Sequence, residues 1–296
     1  MTTELKTMRY EVTGRIARIT LDRPARGNGI TLDMPVELAA CVERANLDPA
    51  VHVIALAGAG KGFCGGYDLV ASAEAAMGEM GGAAPAGSPL DPAVIARNHD
   101  PAQVWDPTVD HAMMVRNVRG FMSLFHGDKP VVCKVHGFCV AGGTDMALCS
   151  DLLVIEDTAR IGYPPARVWG VPTTAMWAHR IGVERAKRLL FTGDCITGRQ
   201  AVDWGLAIEC APAAELDAVF ERLLERIARV PVNQLVMHKL LLNQTVLAQG
   251  LHASQLLGVL FDGVARHTAE GHAFAARARA AGFKAAVRDR DDPFGD

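Results

Sequence analysis

The chain has 296 residues, 50% hydrophobic, 21% charged and 6% aromatic, with 30 basic against 33 acidic side chains and a formal charge of −3. That balance excludes a disordered chain, and without a Lys/Arg cluster nothing is set to neutralise nucleic-acid phosphates. At this length about 75% of the unfolded surface can be buried, so a full core needs no disulfide or metal staples.

Residues 8–12 and 15–21 read as paired strands around the Thr13-Gly14 turn signal. Helical spacing follows over 32–45, and VHVIALA (51–57) reads as a buried strand closed by Gly58 and Gly60. Residues 71–110 form an Ala/Gly/Pro-rich stretch expected to be an irregular, lid-like insertion. Strands are expected at 130–135 and 151–155, with a helix at 144–149 between them. This alternation predicts an α/β core with largely parallel pairing. Beyond Pro172 the period becomes helical over 184–191, 199–204, 212–229, 232–249, 251–267 and 269–281, with one strand left at 206–210. The division expected is an α/β core over 1–212 and a helical region over 213–296 that needs something to pack on.

The seven cysteines (Cys41, Cys64, Cys133, Cys139, Cys149, Cys195 and Cys210) are odd in number and form no C-x-x-C pair. That favours a reducing compartment and offers no zinc spacing. The start, MTTELKTMRYEV, is too polar for a signal peptide, and no apolar window of about 18 residues exists. A soluble, cytoplasmic protein without metal, membrane or nucleic-acid partner is therefore expected.

Two glycine clusters follow strands: GAGKGFCGGYD (58–68) and GFCVAGGTD (137–145). Glycine serves where backbone must approach a ligand closely or take a positive φ. Gly60, Gly62 and Gly65 make a G-x-G-x-x-G, but no second strand with an acidic end follows at about 20 residues, as a dinucleotide site requires. Read together, the clusters suit another task. Gly142-Gly143 open a helix, and one N–H from each cluster can point at a single oxygen that gains charge, an oxyanion hole. Asp145, one turn inside that helix, is a candidate general acid or base.

At these residues the chain resembles the crotonase, or enoyl-CoA hydratase, superfamily. ARITLDRPARGNGI (17–30) is similar to its N-terminal strand and Arg-Pro…Asn turn. KGFCGGYDL (61–69) is similar to its F-[SCA]-[AG]-G-x-D-[LI] segment. HGFCVAGGTDMALCSD (136–151) and LLFTGDCITGRQAVDWGL (189–206) resemble two further motifs in the same order. The resemblance implies a crotonase-like spiral of ββα units. It also implies a C-terminal helical region that builds homotrimers, often paired into hexamers. It implies an acyl-CoA thioester substrate, with no cofactor beyond the coenzyme A of the substrate. The implied oxyanion donors are the amides of Tyr67 and Gly142. Arg26, Gly65, Gly66, Asp68, Gly143 and Pro165 fall at implied substrate- or CoA-binding positions. Phe283 and Lys284 fall where the closing helices of the family reach a neighbour's CoA.

One departure limits the inference. The hydratases of this family use two glutamates. Asp145 stands at the first position and Pro165 at the second, with Pro164 and Ala166 beside it. The expectation is an acyl-CoA enzyme of enoyl-CoA hydratase type working with Asp145. Isomerase or thioester hydrolase chemistry on the same scaffold, or acyl-CoA binding with little catalysis, are the alternatives. His99, His111, Asp106 and Asp110 are the nearest sources of a missing acid within the insertion.

Overall fold

A computed structural model describes residues 5–68 and 86–295. Its strands are β1 (Met8–Thr13), β2 (Ile16–Leu21), β3 (Val53–Gly58), β4 (Val131–Val135), β5 (Phe138–Val140), β6 (Leu152–Glu156), β7 (Arg160–Gly162), β8 (Cys195–Thr197) and β9 (Glu209–Ala211). One sheet has the order β1-β2-β3-β4-β6-β9, parallel throughout except for the β1–β2 hairpin. The second sheet, β5-β7-β8, stands apart, and the isolated bridge Cys64↔Cys139 ties it to the loop after β3. This is the mixed α/β crotonase-like architecture that the motifs imply.

The continuous apolar run of β3 has a simple cause. Val53 and Ala55 face one side of the sheet, Ile54 and Leu56 the other, and all four are buried. Side chains alternate along a strand, so a sheet covered on both faces reads as unbroken hydrophobicity. Val132 of β4 and Val154 of β6 share the first face. That face is covered by a helix of the C-terminal region, Ala213–Ala228, through Leu216, Val219, Phe220 and Leu224. Those positions recur at helical spacing, and burying each such side chain stabilises by roughly 1.5–3 kcal/mol.

The other helices, in chain order, are α1 (Met34–Leu47), α2 (Pro92–Asn98), α3 (Pro107–His126), α4 (Gly142–Ala147), α5 (Met176–Ile181), α6 (Val183–Thr192) and α7 (Gly198–Asp203). The Ala213–Ala228 helix is α8. It is followed by α9 (Val232–Ala248), α10 (Leu251–Arg266), α11 (Ala269–Ala281) and α12 (Phe283–Asp291). The irregular insertion expected over 71–110 needs correction in its second half. Residues 69–85 lie outside the described residues, but α2 and the start of α3 occupy the rest. Each begins on an Asp-Pro pair. The Asp91 and Asp106 carboxylates accept the N–H of Ala93 and Thr108, and Pro92 and Pro107 take first-turn positions where no N–H is needed. Expected strands at 130–135, 151–155 and 206–210 are observed as β4, β6 and the shorter β9.

α9 and α10 each bury a charged side chain and turn large apolar ones outward. α9 buries Lys239, while Leu240, Leu241 and Leu242 are exposed. Lys239 donates to the carbonyls of Leu124 and Lys129 and pairs with Asp151, 2.9 Å away. α10 buries Leu251, Gly258, Val259, Asp262 and Gly263 and exposes Leu256, Leu257, Leu260 and Phe261.

Candidate active site

The site begins with a turn that locks the first glycine loop. Asn28 is fully buried at φ 53°, and its amide nitrogen donates toward the carbonyls of Ala59, Gly62 and Phe63. Its side-chain oxygen accepts the N–H of Arg23. The Arg23 guanidinium in turn holds buried Asp68 at 2.8 Å. Asp68, at an implied substrate-binding position, is thus held by an ion pair between two loops.

The direction of the Tyr67 amide follows from backbone pairing. Ile30 donates to Gly66 O (2.9 Å) and accepts from Asp68 N (3.0 Å), a parallel bridge that leaves the Tyr67 N–H pointing the opposite way. Gly142 lies close to the residue before Tyr67. A Cβ on Gly66 would sit 3.5 Å from Gly142 N and 2.7 Å from the Ala141 side chain. Ala141 carries a positive φ of 54°, a costly conformation for a residue with a side chain, and it turns the chain into α4 at Gly142. Neither the Tyr67 nor the Gly142 amide has a backbone acceptor among the described residues. α4 is only six residues long, so the two amides matter more here than any helix dipole.

Asp145 is buried in the same turn. Its Oδ1 accepts from Thr174 N (3.0 Å) and Thr174 Oγ1 (2.9 Å), and its Oδ2 faces Tyr163 Oη at 3.4 Å. Burial pushes the Asp145 carboxyl up to about 7, against the bonds from Thr174 and Tyr163 and with the help of the charge on Asp262. A carboxyl balanced there both gives and takes a proton at neutral pH.

Pro165 lies in a short 3-10 turn, Pro164–Arg167, after buried Tyr163. It has no proton to give. Its carbonyl accepts three N–H groups, from Val168, Trp169 and Gly170, and so knots the turn. Arg167 anchors it from below. The guanidinium donates to Thr192 O, pairs with Asp194 (3.2 Å) and Asp291 (3.0 Å), and stacks on Phe294 at 4.0 Å. The Arg167 side chain is 2% exposed. Removing one partner of a buried ion pair strands the other charges. Arg167→Ala is therefore expected to destabilise the protein by about 3 kcal/mol, read as a lowered midpoint in urea unfolding.

A second buried cluster escaped the sequence reading. Asp110 accepts from Asn98 Nδ2 (2.9 Å), Trp105 Nε1 (2.9 Å), His99 Nε2 (2.9 Å), His267 Nε2 (3.1 Å) and Arg266 (3.2 Å). Burial raises its carboxyl, yet these donors win and hold it at about 2. Asp110 is a fixed anion and not the missing acid. Asp106 is spent on capping α3, His99 is bonded to Asp110, and His111 is exposed. His99, Asp110 and His267 are spaced as three metal ligands would be. The fit is poor, because Asp110 already has five donors and one of them is a cation. Arg266 also binds Asp262 four residues earlier on α10. An Asp–Arg pair inside a leucine-rich helix was the available signal for this cluster.

The remaining expected positions are spread out. Arg26 is exposed on the 3-10 turn Pro24–Arg26, two residues before Asn28. Gly65 and Gly143 stand beside the two amides, and a Cβ on Gly143 would sit 2.6 Å from Cys64 O. Phe283 packs within its own chain, edge-on to Phe274 at 6.1 Å, and Phe274 meets Trp169 at 5.0 Å. Lys284 is exposed. Cys64 and Cys139 are buried, and burial raises both thiols, to about 12 for Cys64, which leaves them poor nucleophiles. No helix among the described residues is long and apolar enough to cross a membrane.

Fold and site together define an enzyme of the crotonase superfamily. The family model for enoyl-CoA hydratase/isomerase matches residues 11–87 and 108–277, and the chain belongs to that family. It is 34% identical over 271 residues to a candidate enoyl-CoA hydratase, EchA13, of Mycobacterium tuberculosis, covering 85% of this chain and 78% of that one. Among solved structures, an enoyl-CoA hydratase from Mycobacterium smegmatis superposes with a TM-score of 0.92 at 57% identity, covering 99% and 96% of the two chains. An enoyl-CoA hydratase/isomerase from Xanthobacter autotrophicus Py2 superposes with a TM-score of 0.82 at 25% identity, covering 98% and 99%.

Proposed function

We propose that this chain adds water to α,β-unsaturated acyl-CoA thioesters with Asp145 as its single proton-carrying group. The observation that carries this reading is the buried Asp145 carboxyl beside two free amides, with Pro165 where a second acid would stand. The thioester oxygen lies between the amides of Tyr67 and Gly142, which bind an enolate more strongly than a carbonyl, by roughly 3–4 kcal/mol per donor. Ionised Asp145 takes a proton from water, and hydroxide adds to the β-carbon. The protonated carboxyl then returns its proton to the α-carbon. Water is consumed and Asp145 is regenerated. Coenzyme A enters as part of the substrate, and the reaction calls on no other cofactor. Mixing the protein with crotonyl-CoA tests this. Appearance of 3-hydroxybutyryl-CoA supports it, and binding without product sinks it.

One group that both takes and gives a proton also suits double-bond isomerisation, which needs no water. A 3-enoyl-CoA converted to its 2-enoyl isomer faster than either is hydrated would favour that second reading.

The outward leucines of α9 and α10 support a homotrimer or a pair of trimers, since an apolar face of that extent marks a protein contact. Leu257→Glu with Phe261→Glu is expected to yield a monomer by light scattering. A wild-type monomer would overturn the assembly.

A further inference from the structure

The two oxygens of the Asp145 carboxylate are unequal. Oδ1 accepts from the Thr174 amide (3.0 Å) and the Thr174 hydroxyl (2.9 Å), so both of its lone pairs are used. Thr174 is fixed in turn, because its carbonyl accepts from Gln255 Nε2 of α10 at 3.1 Å. Oδ2 has one hydrogen-bonding neighbour among the described residues, Tyr163 Oη, and that contact is long at 3.4 Å.

Tyr163 Oη also lies 3.0 Å from Val171 O. A carbonyl only accepts and a phenol has one proton, so Tyr163 cannot donate to Val171 O and to Asp145 Oδ2 at once. Burial and the charges on Asp145 and Asp262 push the Tyr163 phenol well above its ordinary range, so that proton stays on Oη at neutral pH. Val171 is itself anchored. Its N–H donates to buried Asp262, which Arg266 holds from the next turn of α10.

The direction of the one O–H therefore follows the state of Asp145. Protonated on Oδ2, Asp145 donates to Oη while Oη donates to Val171 O. Once Asp145 is ionised, the O–H turns toward the charge, because a bond to a carboxylate is about twice as strong as one between neutral groups. Oη is partnered in both states.

We propose that Tyr163 is a positioning residue that keeps the travelling proton of Asp145 on Oδ2, its hydroxyl swinging between Val171 O and Oδ2 as that proton arrives and leaves. The proposal rests on the single-carboxyl reading above and deepens it by naming the oxygen that carries the proton. The other titratable groups facing the pair are Asp262 with Arg266 from α10, Tyr67 from the first glycine loop, Cys139 of β5 and Cys149 just after α4. Tyr163→Phe leaves all of these in place, so a changed titration traces to the one hydroxyl.

Infrared difference spectra of the substrate-free protein follow the Asp145 carboxyl, with Asp145→Asn to identify its band. Tyr163→Phe is expected to raise the midpoint from about 7 by at least ~0.5, because the ionised form loses a charge-assisted bond and the neutral form only a neutral one. Thr174→Val is an independent second variant that removes a donor from Oδ1. With the proton on Oδ2, the C=O stretch belongs to Oδ1, so Thr174→Val moves that band to higher frequency. A midpoint that Tyr163→Phe leaves unchanged or lowers overturns the proposal, and so does a C=O band that Thr174→Val leaves in place. The kcat/KM profile for crotonyl-CoA should move with the titration in Tyr163→Phe. A profile that stays put while the titration moves overturns the role of Asp145 in hydration and leaves the Tyr163 assignment standing.

Discussion

Asp145→Asn is expected to reduce hydration of crotonyl-CoA by roughly 10²–10⁴-fold, the range for loss of the one acid–base group. The wild-type rate should carry the signature of that group. Burial holds the Asp145 carboxyl at about 7, so kcat/KM climbs as pH rises through 7 and then levels off. With Pro165 in the second position, no second carboxyl adds its own inflection to the profile. A profile flat from pH 5 to 9 would remove Asp145 from the mechanism.

The same substitution moves stability the other way. The Asp145 carboxyl binds its proton more tightly folded than unfolded, because its folded value of about 7 lies above the ordinary 3.8. Its contribution to stability is complete below pH 3.8 and is lost as pH rises through 7. Above pH 7 the ionised, buried group works against folding. Asp145→Asn should therefore raise the unfolding free energy at pH 8 by up to roughly 4 kcal/mol, an advantage that shrinks toward pH 4. A more stable and nearly inactive variant is the expected pair of results. Urea titrations at both pH values check it, and a destabilised variant at pH 8 would contradict the burial argument.

Gly66→Ala should cost roughly 10²–10³-fold in kcat with little change in KM, the loss expected when an oxyanion donor is displaced. Gly66 sits at φ +96°, which a side chain resists. A Cβ there would also lie 2.7 Å from the Ala141 side chain and 3.4 Å from Val140 O. The peptide before Tyr67 must retreat from Gly142, and the distance between the two donors opens. Single-turnover rates on crotonyl-CoA, with circular dichroism to verify folding, measure this. A kcat within about threefold of wild type would mean that the Tyr67 amide does not bind the developing charge.

Much of this molecule was legible in its residues, for identifiable reasons. β3 and β4 announce themselves because a sheet buried on both faces needs unbroken apolar runs. That Tyr67, Gly142 and Asp145 come together was legible because they stand on local backbone turns, and such turns leave glycine and Asp at fixed offsets; the roles given to them belong to the proposal. The three-residue strands of the second sheet escaped, since three residues hold too little period to detect. α3 escaped because prolines at 92, 101 and 107 mask its approach, although those at 92 and 107 follow capping aspartates. Thr174, Tyr163 and Asp262 escaped for a different reason. Each reaches the site from a distant segment, and only folding shows that Thr174 meets a carboxylate 29 residues away.

α10 carries one further consequence. Its outer side presents Leu257 and Phe261, while its inner side carries Asp262 and Arg266 to the Asp110 network. A rigid rod cannot move one flank alone. Whatever leans on the leucines from outside also sets the depth of the charges within, so the helix is a lever with one arm in the solvent and one beside the reacting centre. On the proposed assembly, dilution that strips the outer contact should therefore lower specific activity before it unfolds the chain.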